Sequence, residues 1–112
     1  LVDFDMLWGH RRDAQAYYNG LKEFDDFLPK LQNAMTADDI LFITADHGCD
    51  PTHTLHTDHT REYVPLLVFG KKLKKGVNLG IRKTFADLGQ TIADIMGIEK
   101  LGSGTSLKKE IF

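Results

Sequence analysis

The five histidines fall in two short stretches: His10 follows Asp5 in one, and His47, His53, His56 and His59 follow Asp46 in the other. Mixed carboxylate and imidazole side chains suit Mn²⁺ or Zn²⁺ better than Ca²⁺, which takes oxygen ligands alone. A lone Asp-His pair in a loop is ordinarily solvated, and a single histidine at a strand end is ordinarily a hydrogen-bonded structural residue. Two Asp/His groups at successive predicted strand ends make a metal centre the stronger reading. A third histidine inside the run Asp58-His59-Thr60-Arg61-Glu62 adds to it. His53 and His56 are read as solvent-facing, because a long polar loop exposes such residues by default.

Elements must bring these stretches together. The run Ile40-Leu41-Phe42-Ile43-Thr44 is short, continuous and rich in strand formers, which predicts a strand buried on both faces that ends directly in Ala45-Asp46-His47-Gly48. Along a regular strand Asp46 and His47 would face opposite ways, so an irregular turn eased by Gly48 is needed to aim both at one centre. Leu1-Val2-Asp3-Phe4-Asp5 reads as a strand already under way, and Tyr63-Val64-Pro65-Leu66-Leu67-Val68-Phe69 as another, with Pro65 near its start. From Arg12 to about Met35 apolar residues recur at helical steps, with Gly20 and Pro29 as interruptions that predict a kink or two shorter helices. Thr84 is a plausible N-cap for a helix that buries Phe85, Leu88, Ile92, Ile95 and Met96 and ends at Gly97. The rhythm of strand, helix, strand, strand, helix is that of an α/β layer whose crossovers suit parallel strands. In open sheets of that kind ligands bind beyond the carboxyl ends of the strands, where both Asp5–His10 and Asp46–His59 are expected.

Composition narrows the function classes. A chain of 112 residues holds one folding unit with a modest core, and its net charge of −2 gives no electrostatic reason to bind nucleic acid or an anionic membrane. The basic run Lys71-Lys72-Leu73-Lys74-Lys75 reads as a solvated turn. One cysteine, Cys49, allows no internal disulfide, and no apolar run is long enough to cross a bilayer, which makes a reducing cytoplasm the expected compartment.

Several motifs carry a family resemblance. Thr44-Ala45-Asp46-His47-Gly48 resembles the metal-binding signature of the alkaline phosphatase superfamily, which includes cofactor-independent phosphoglycerate mutases. Within it, Val2-Asp3-Phe4-Asp5-Met6-Leu7 leading into Gly9-His10-Arg11-Arg12-Asp13 is similar to the phosphopentomutase family. So are Asp50-Pro51-Thr52 with Thr57-Asp58-His59-Thr60-Arg61-Glu62-Tyr63, and Thr84-Phe85-Ala86-Asp87-Leu88-Gly89, Thr91-Ile92-Ala93-Asp94 and Gly104-Thr105-Ser106. The linker His53-Thr54-Leu55-His56 departs from that pattern, being longer than the family's Gly-containing one.

The resemblance implies an alkaline-phosphatase-like core with a mostly parallel sheet flanked by helices, of which residues 1–112 would form the C-terminal portion. It also implies interconversion of ribose 1-phosphate and ribose 5-phosphate, and of the deoxyribose equivalents, with two divalent ions, manganese foremost. Asp5, His10 and His59 would hold one ion and Asp46 and His47 the other. The nucleophilic threonine and one further aspartate would come from an N-terminal core segment, and sugar recognition from a cap domain, both expected outside this sequence. The catalytic nucleophile is therefore expected to be absent here and the 112 residues alone inactive. Another phosphatase, phosphodiesterase or phosphoglycerate mutase of the superfamily would use nearly the same ligands, and a non-catalytic metal-stabilised module would close its coordination instead.

Overall fold

A computed structural model describes all residues from 1 to 112. It divides into two compact units, residues 1–69 and 70–112, with the boundary inside the second strand.

The first unit opens with a π-helical turn over Phe4–Gly9, in which the His10 amide donates to the Asp5 carbonyl at 2.9 Å. The strand expected at residues 1–5 is therefore absent, and aromatic packing explains why. Phe4 and Trp8 meet edge to face with centroids 5.0 Å apart, and Phe4 meets Tyr17 in the same way at 5.1 Å. A strand would hold residues 4 and 8 about 13 Å apart, whereas a helical turn stacks them so that both rings reach one partner helix. That partner is α1, Ala14–Ala34, whose first turn is capped by the Asp13 carboxylate accepting from the Ala16 amide at 2.9 Å. α1 runs without a break through both predicted interruptions. A Cβ at Gly20 would come within 2.1 Å of the Trp8 ring, so glycine there makes room for the indole. Pro29 follows a largely exposed stretch, where water can satisfy the carbonyl that its missing N–H leaves free.

β1, Ile40–Thr44, and β2, Leu66–Gly70, form a two-stranded antiparallel sheet. The α/β character is as expected, but this pair does not run parallel. The link between the strands is no crossover: it folds back through an antiparallel bridge between Gly48 and Thr60. β1 is half-buried rather than covered on both faces, and β2 starts just after Pro65 with alternating exposure.

The second unit centres on α2, Ala86–Ile95, and the short α3, Lys108–Ile111. Thr84 does serve the start of α2, its hydroxyl accepting from the Ala86 amide at 3.2 Å, and Gly97 follows the helix end at φ +67°. The face expected to be buried is so only in part. Leu88 and Ile95 are half-buried and Phe85, Ile92 and Met96 exposed, while Asp87, Gln90, Thr91 and Ala93 are buried. The segment after α2 returns over its polar side and satisfies it. Leu101 N–H donates to Gln90 Oε1 and Thr105 N–H to Asp87 Oδ1, each at 2.9 Å, and Leu107 N–H donates to the Thr91 hydroxyl at the same distance. The return is tight at Gly104, whose φ of +92° and 2.2 Å separation between a built Cβ and the Ala86 carbonyl oxygen admit no side chain. Leu73, Ala93, Leu107 and Ile111 make up the buried apolar core of this unit.

Candidate metal centre

Two segments of the first unit deliver the chemistry. The π-helical turn carries Asp5 and leads into His10, and the chain leaving β1 carries Asp46, His47 and the loop to His59. The loop is tied at its base. The Thr60 amide donates to the Gly48 carbonyl at 3.2 Å, the Asp50 amide donates to the Thr60 hydroxyl at 2.6 Å, and that hydroxyl donates to the Glu62 carboxylate. Gly48 is needed here for closeness, since a Cβ would lie 2.8 Å from the Glu62 amide nitrogen. On the way out Asp50 forms an Asx turn, and the Thr52 hydroxyl and amide hold its carboxyl below the usual range. The His59 amide does the same to Asp58.

The side chains converge on one oxygen. Asp5 Oδ1 is buried without a hydrogen-bond partner, and it lies 3.4 Å from His59 Nε2, 3.5 Å from His10 Nε2 and 4.0 Å from His47 Nε2. His10 Nε2 and His59 Nε2 are 3.1 Å apart, and the His47 and His59 rings stack at 3.7 Å. Backbone carbonyls fix two of the tautomers. His10 Nδ1 faces Thr57 O at 2.5 Å and His47 Nδ1 faces Gly48 O at 3.2 Å. A carbonyl only accepts, so Nδ1 bears the proton in each ring and Nε2 of the neutral imidazole presents a lone pair. With both rings neutral, a buried carboxylate oxygen and two imidazole lone pairs face one another. One proton on His59 Nε2 would satisfy one of them, whereas a divalent cation would satisfy all. The donor set, oxygen with imidazole nitrogen, fits such a cation.

Of the residues singled out from sequence, Asp5, His10, His47 and His59 come together. Asp46 stands at the rim, its carboxylate 90% exposed and 3.7 Å from His47 Nε2. Asp5 Oδ1, His10 Nε2 and His59 Nε2 lie within 3.5 Å of one another, and His47, expected with the other ion, also comes within 4.0 Å of Asp5 and groups with Asp5 and His59. His53 and His56 stay outside, hydrogen-bonded to each other through their Nε2 atoms at 3.1 Å. A cleft of about 240 Å³ opens beside His47, between Tyr17 and the stretch Tyr63 to Pro65. Burial, with smaller contributions from Cys49 and Asp5, pushes the Tyr17 phenol up. One residue went unnoticed as a contributor: Arg12, which reaches across to the loop through its whole guanidinium.

A carboxylate and imidazoles focused on one point define a metal-dependent class. Residues 1–100 match the Metalloenzyme superfamily, and the chain belongs to that superfamily. More particularly, it is 60% identical over 111 residues to the phosphopentomutase of Kosmotoga olearia, covering 99% of this chain. It is 60% identical over 112 residues to that of Thermotoga maritima, covering all of it, and 59% identical over 111 residues to that of Clostridium novyi. The chain spans 28% of the length of each of these curated relatives.

Proposed function

We propose that this chain contributes most of the metal-binding side chains of a phosphopentomutase, interconverting pentose 1-phosphate and 5-phosphate as part of a polypeptide of its relatives' length. The observation that carries this reading is the buried Asp5 oxygen faced by imidazole lone pairs, in a chain 60% identical to phosphopentomutases. Asp5, His10 and His59 hold one divalent ion and Asp46 and His47 the second, with His47 near enough to Asp5 to stand between them. Manganese is the ion proposed, given the mixed oxygen and nitrogen donors. Two such ions, when bound, stabilise the charge on the phosphoryl group and on the oxygens that attack and leave in line.

The chain's own residues prepare that chemistry. Asp5 supplies negative charge where it is least hydrated, and the carbonyls of Thr57 and Gly48 orient His10 and His47 so that Nε2 points inward. His59, 42% exposed at its side chain, and Asp46 leave one side of the cluster open, as substrate access requires and a closed structural site would not. The remaining sheet strands, in mostly parallel order, the phosphoryl-accepting threonine and the sugar-binding cap belong to the rest of the polypeptide. No helix is long and apolar enough to cross a membrane, and a cytoplasmic enzyme is proposed.

The test is conversion of ribose 1-phosphate to ribose 5-phosphate by the intact gene product with Mn²⁺, beside its Asp46→Ala and His59→Ala variants. Activity that falls at least a hundredfold in both variants supports reaction and ligands together. Turnover of 3-phosphoglycerate, or plain phosphate release, in place of pentose phosphate conversion would move the assignment to another reaction of the superfamily.

A further inference from the structure

We infer that Arg12 is a positioning residue for the metal centre, a clamp that sets the loop carrying His59 against the turn carrying His10. The inference rests on the metal-centre reading above. The guanidinium donates in every direction open to it. Nε and Nη2 both reach the His56 carbonyl, at 3.0 and 2.6 Å, and Nη2 also reaches the Asp58 carbonyl at 2.6 Å. Nη1 reaches the Asp50 and Gly9 carbonyls, each at 3.1 Å, with the Cys49 sulfur at 3.6 Å. The carbonyls held at 56 and 58 flank Thr57, whose own carbonyl accepts from His10 Nδ1 and directs the His10 Nε2 lone pair toward Asp5. Asp58 immediately precedes His59. One side chain therefore spans the turn and both arms of the loop, on either side of the contact that orients a ligand.

The backbone of Arg12 shows that the position is held for its side chain. Its φ is +56°, the only positive value outside glycine. Such a conformation is adopted most easily by glycine, so a residue needed merely to make the turn would have no use for a long cation. Nor does charge explain it. A guanidinium beside a cation site repels the cation, so on charge alone its loss would strengthen metal binding. Positioning predicts the opposite sign. A charge-assisted fork fixes several carbonyls at once, which an ammonium on a flexible stem does not reproduce.

The experiment is Mn²⁺ titration of the intact gene product, followed by electron paramagnetic resonance, for the wild type and the variants Arg12→Gly, Arg12→Lys and Arg11→Ala. Melting in chelator is measured alongside. Arg12→Gly keeps the left-handed backbone and removes only the fork. It is expected to weaken Mn²⁺ binding about tenfold to a hundredfold, the usual range for loss of a group that orients a metal ligand, with little change in metal-free melting. Arg12→Lys is expected to recover less than half of that loss on a logarithmic scale, and Arg11→Ala, an exposed neighbour, none to need. Unchanged or tighter binding in Arg12→Gly overturns the inference. So does full rescue by lysine, which would reduce the residue to a charge, or a loss of affinity matched by collapse of metal-free melting. Should Arg12→Gly fail to fold, Arg12→Lys decides by the same affinity criterion. A wild type that binds no Mn²⁺, or binds it equally well as Asp5→Ala, removes the metal-centre reading itself, a result distinct from any failure of Arg12 alone.

Discussion

Asp5 Oδ1 is the atom at which sequence and structure meet most sharply, because a buried carboxylate oxygen with no donor is costly until something positive arrives. Replacing it tests that cost. In Asp5→Asn the amide can donate to a neighbouring imidazole, so with chelator present the variant is expected to be more stable than wild type by about 1 kcal/mol. With Mn²⁺ the order reverses, since only wild type gains from the ion. Urea melts of both proteins under both conditions check the crossing, and a variant weaker in chelator too would show that Asp5 is already satisfied by protons. The residues of this cluster were legible in sequence as types: a histidine-rich pair of stretches with aspartates ahead of them. The approach of His47 to Asp5 and His59 was not: it rests on ring stacking and a turn at Gly48, contacts between distant segments that no spacing records. Arg12 was hidden for a related reason, since its partners are backbone carbonyls, and any residue type can supply those.

Elements show the same division. α1 and β1 follow from periodicity and a strand-forming run almost to the residue, β2 starts three residues later than Tyr63, and Leu1–Asp5, which reads as a strand, instead runs into the π-helical turn at Phe4–Gly9. The decisive information lay in the rings at 4, 8 and 17, which pack only if the segment coils. α2 carries a different lesson: its apolar stripe was visible, but it is covered only in part, and the side most deeply covered is the largely polar one. Its burial has a pH signature. The Thr105 amide, with Arg82 at 2.9 Å, holds the Asp87 carboxyl below its usual range against the opposing effect of burial. A carboxyl depressed in the folded state adds stability above its unfolded pKa, and that contribution is lost as pH falls through the folded value. Residues 70–112 are therefore expected to lose stability on acidification below about pH 4, the ordinary carboxylate value. Asp87→Asn should be weaker at neutral pH and flatter across the acid range. Melting curves between neutrality and pH 3 measure both, and parallel curves for the two proteins would refute the linkage.

For the molecule as a whole, the two units rely on different supports. In residues 1–69 only Gly9 and Gly20 are buried, so that unit leans on half-buried packing, a tied loop and the Asp/His cluster. Residues 70–112 hold the buried apolar side chains and a polar network with no need of metal. The 112-residue polypeptide should consequently respond to two separate levers. Its single tryptophan, Trp8, lies in the first unit, so its fluorescence is expected to report a transition that Mn²⁺ raises, by about 2.7 kcal/mol at a hundredfold excess over Kd. Acid should move the circular dichroism of α2 instead. One coincident transition under every condition would show the units to be a single cooperative block. The tied loop carries a last consequence, for engineering. With its base closed at Gly48 and Thr60, and its arms gripped at Asp50, His56 and Asp58, only the tip around Leu55, 86% exposed, is left unheld. A change of length there would leave His59 undisturbed, and the same tip is the natural place to graft a foreign peptide for display.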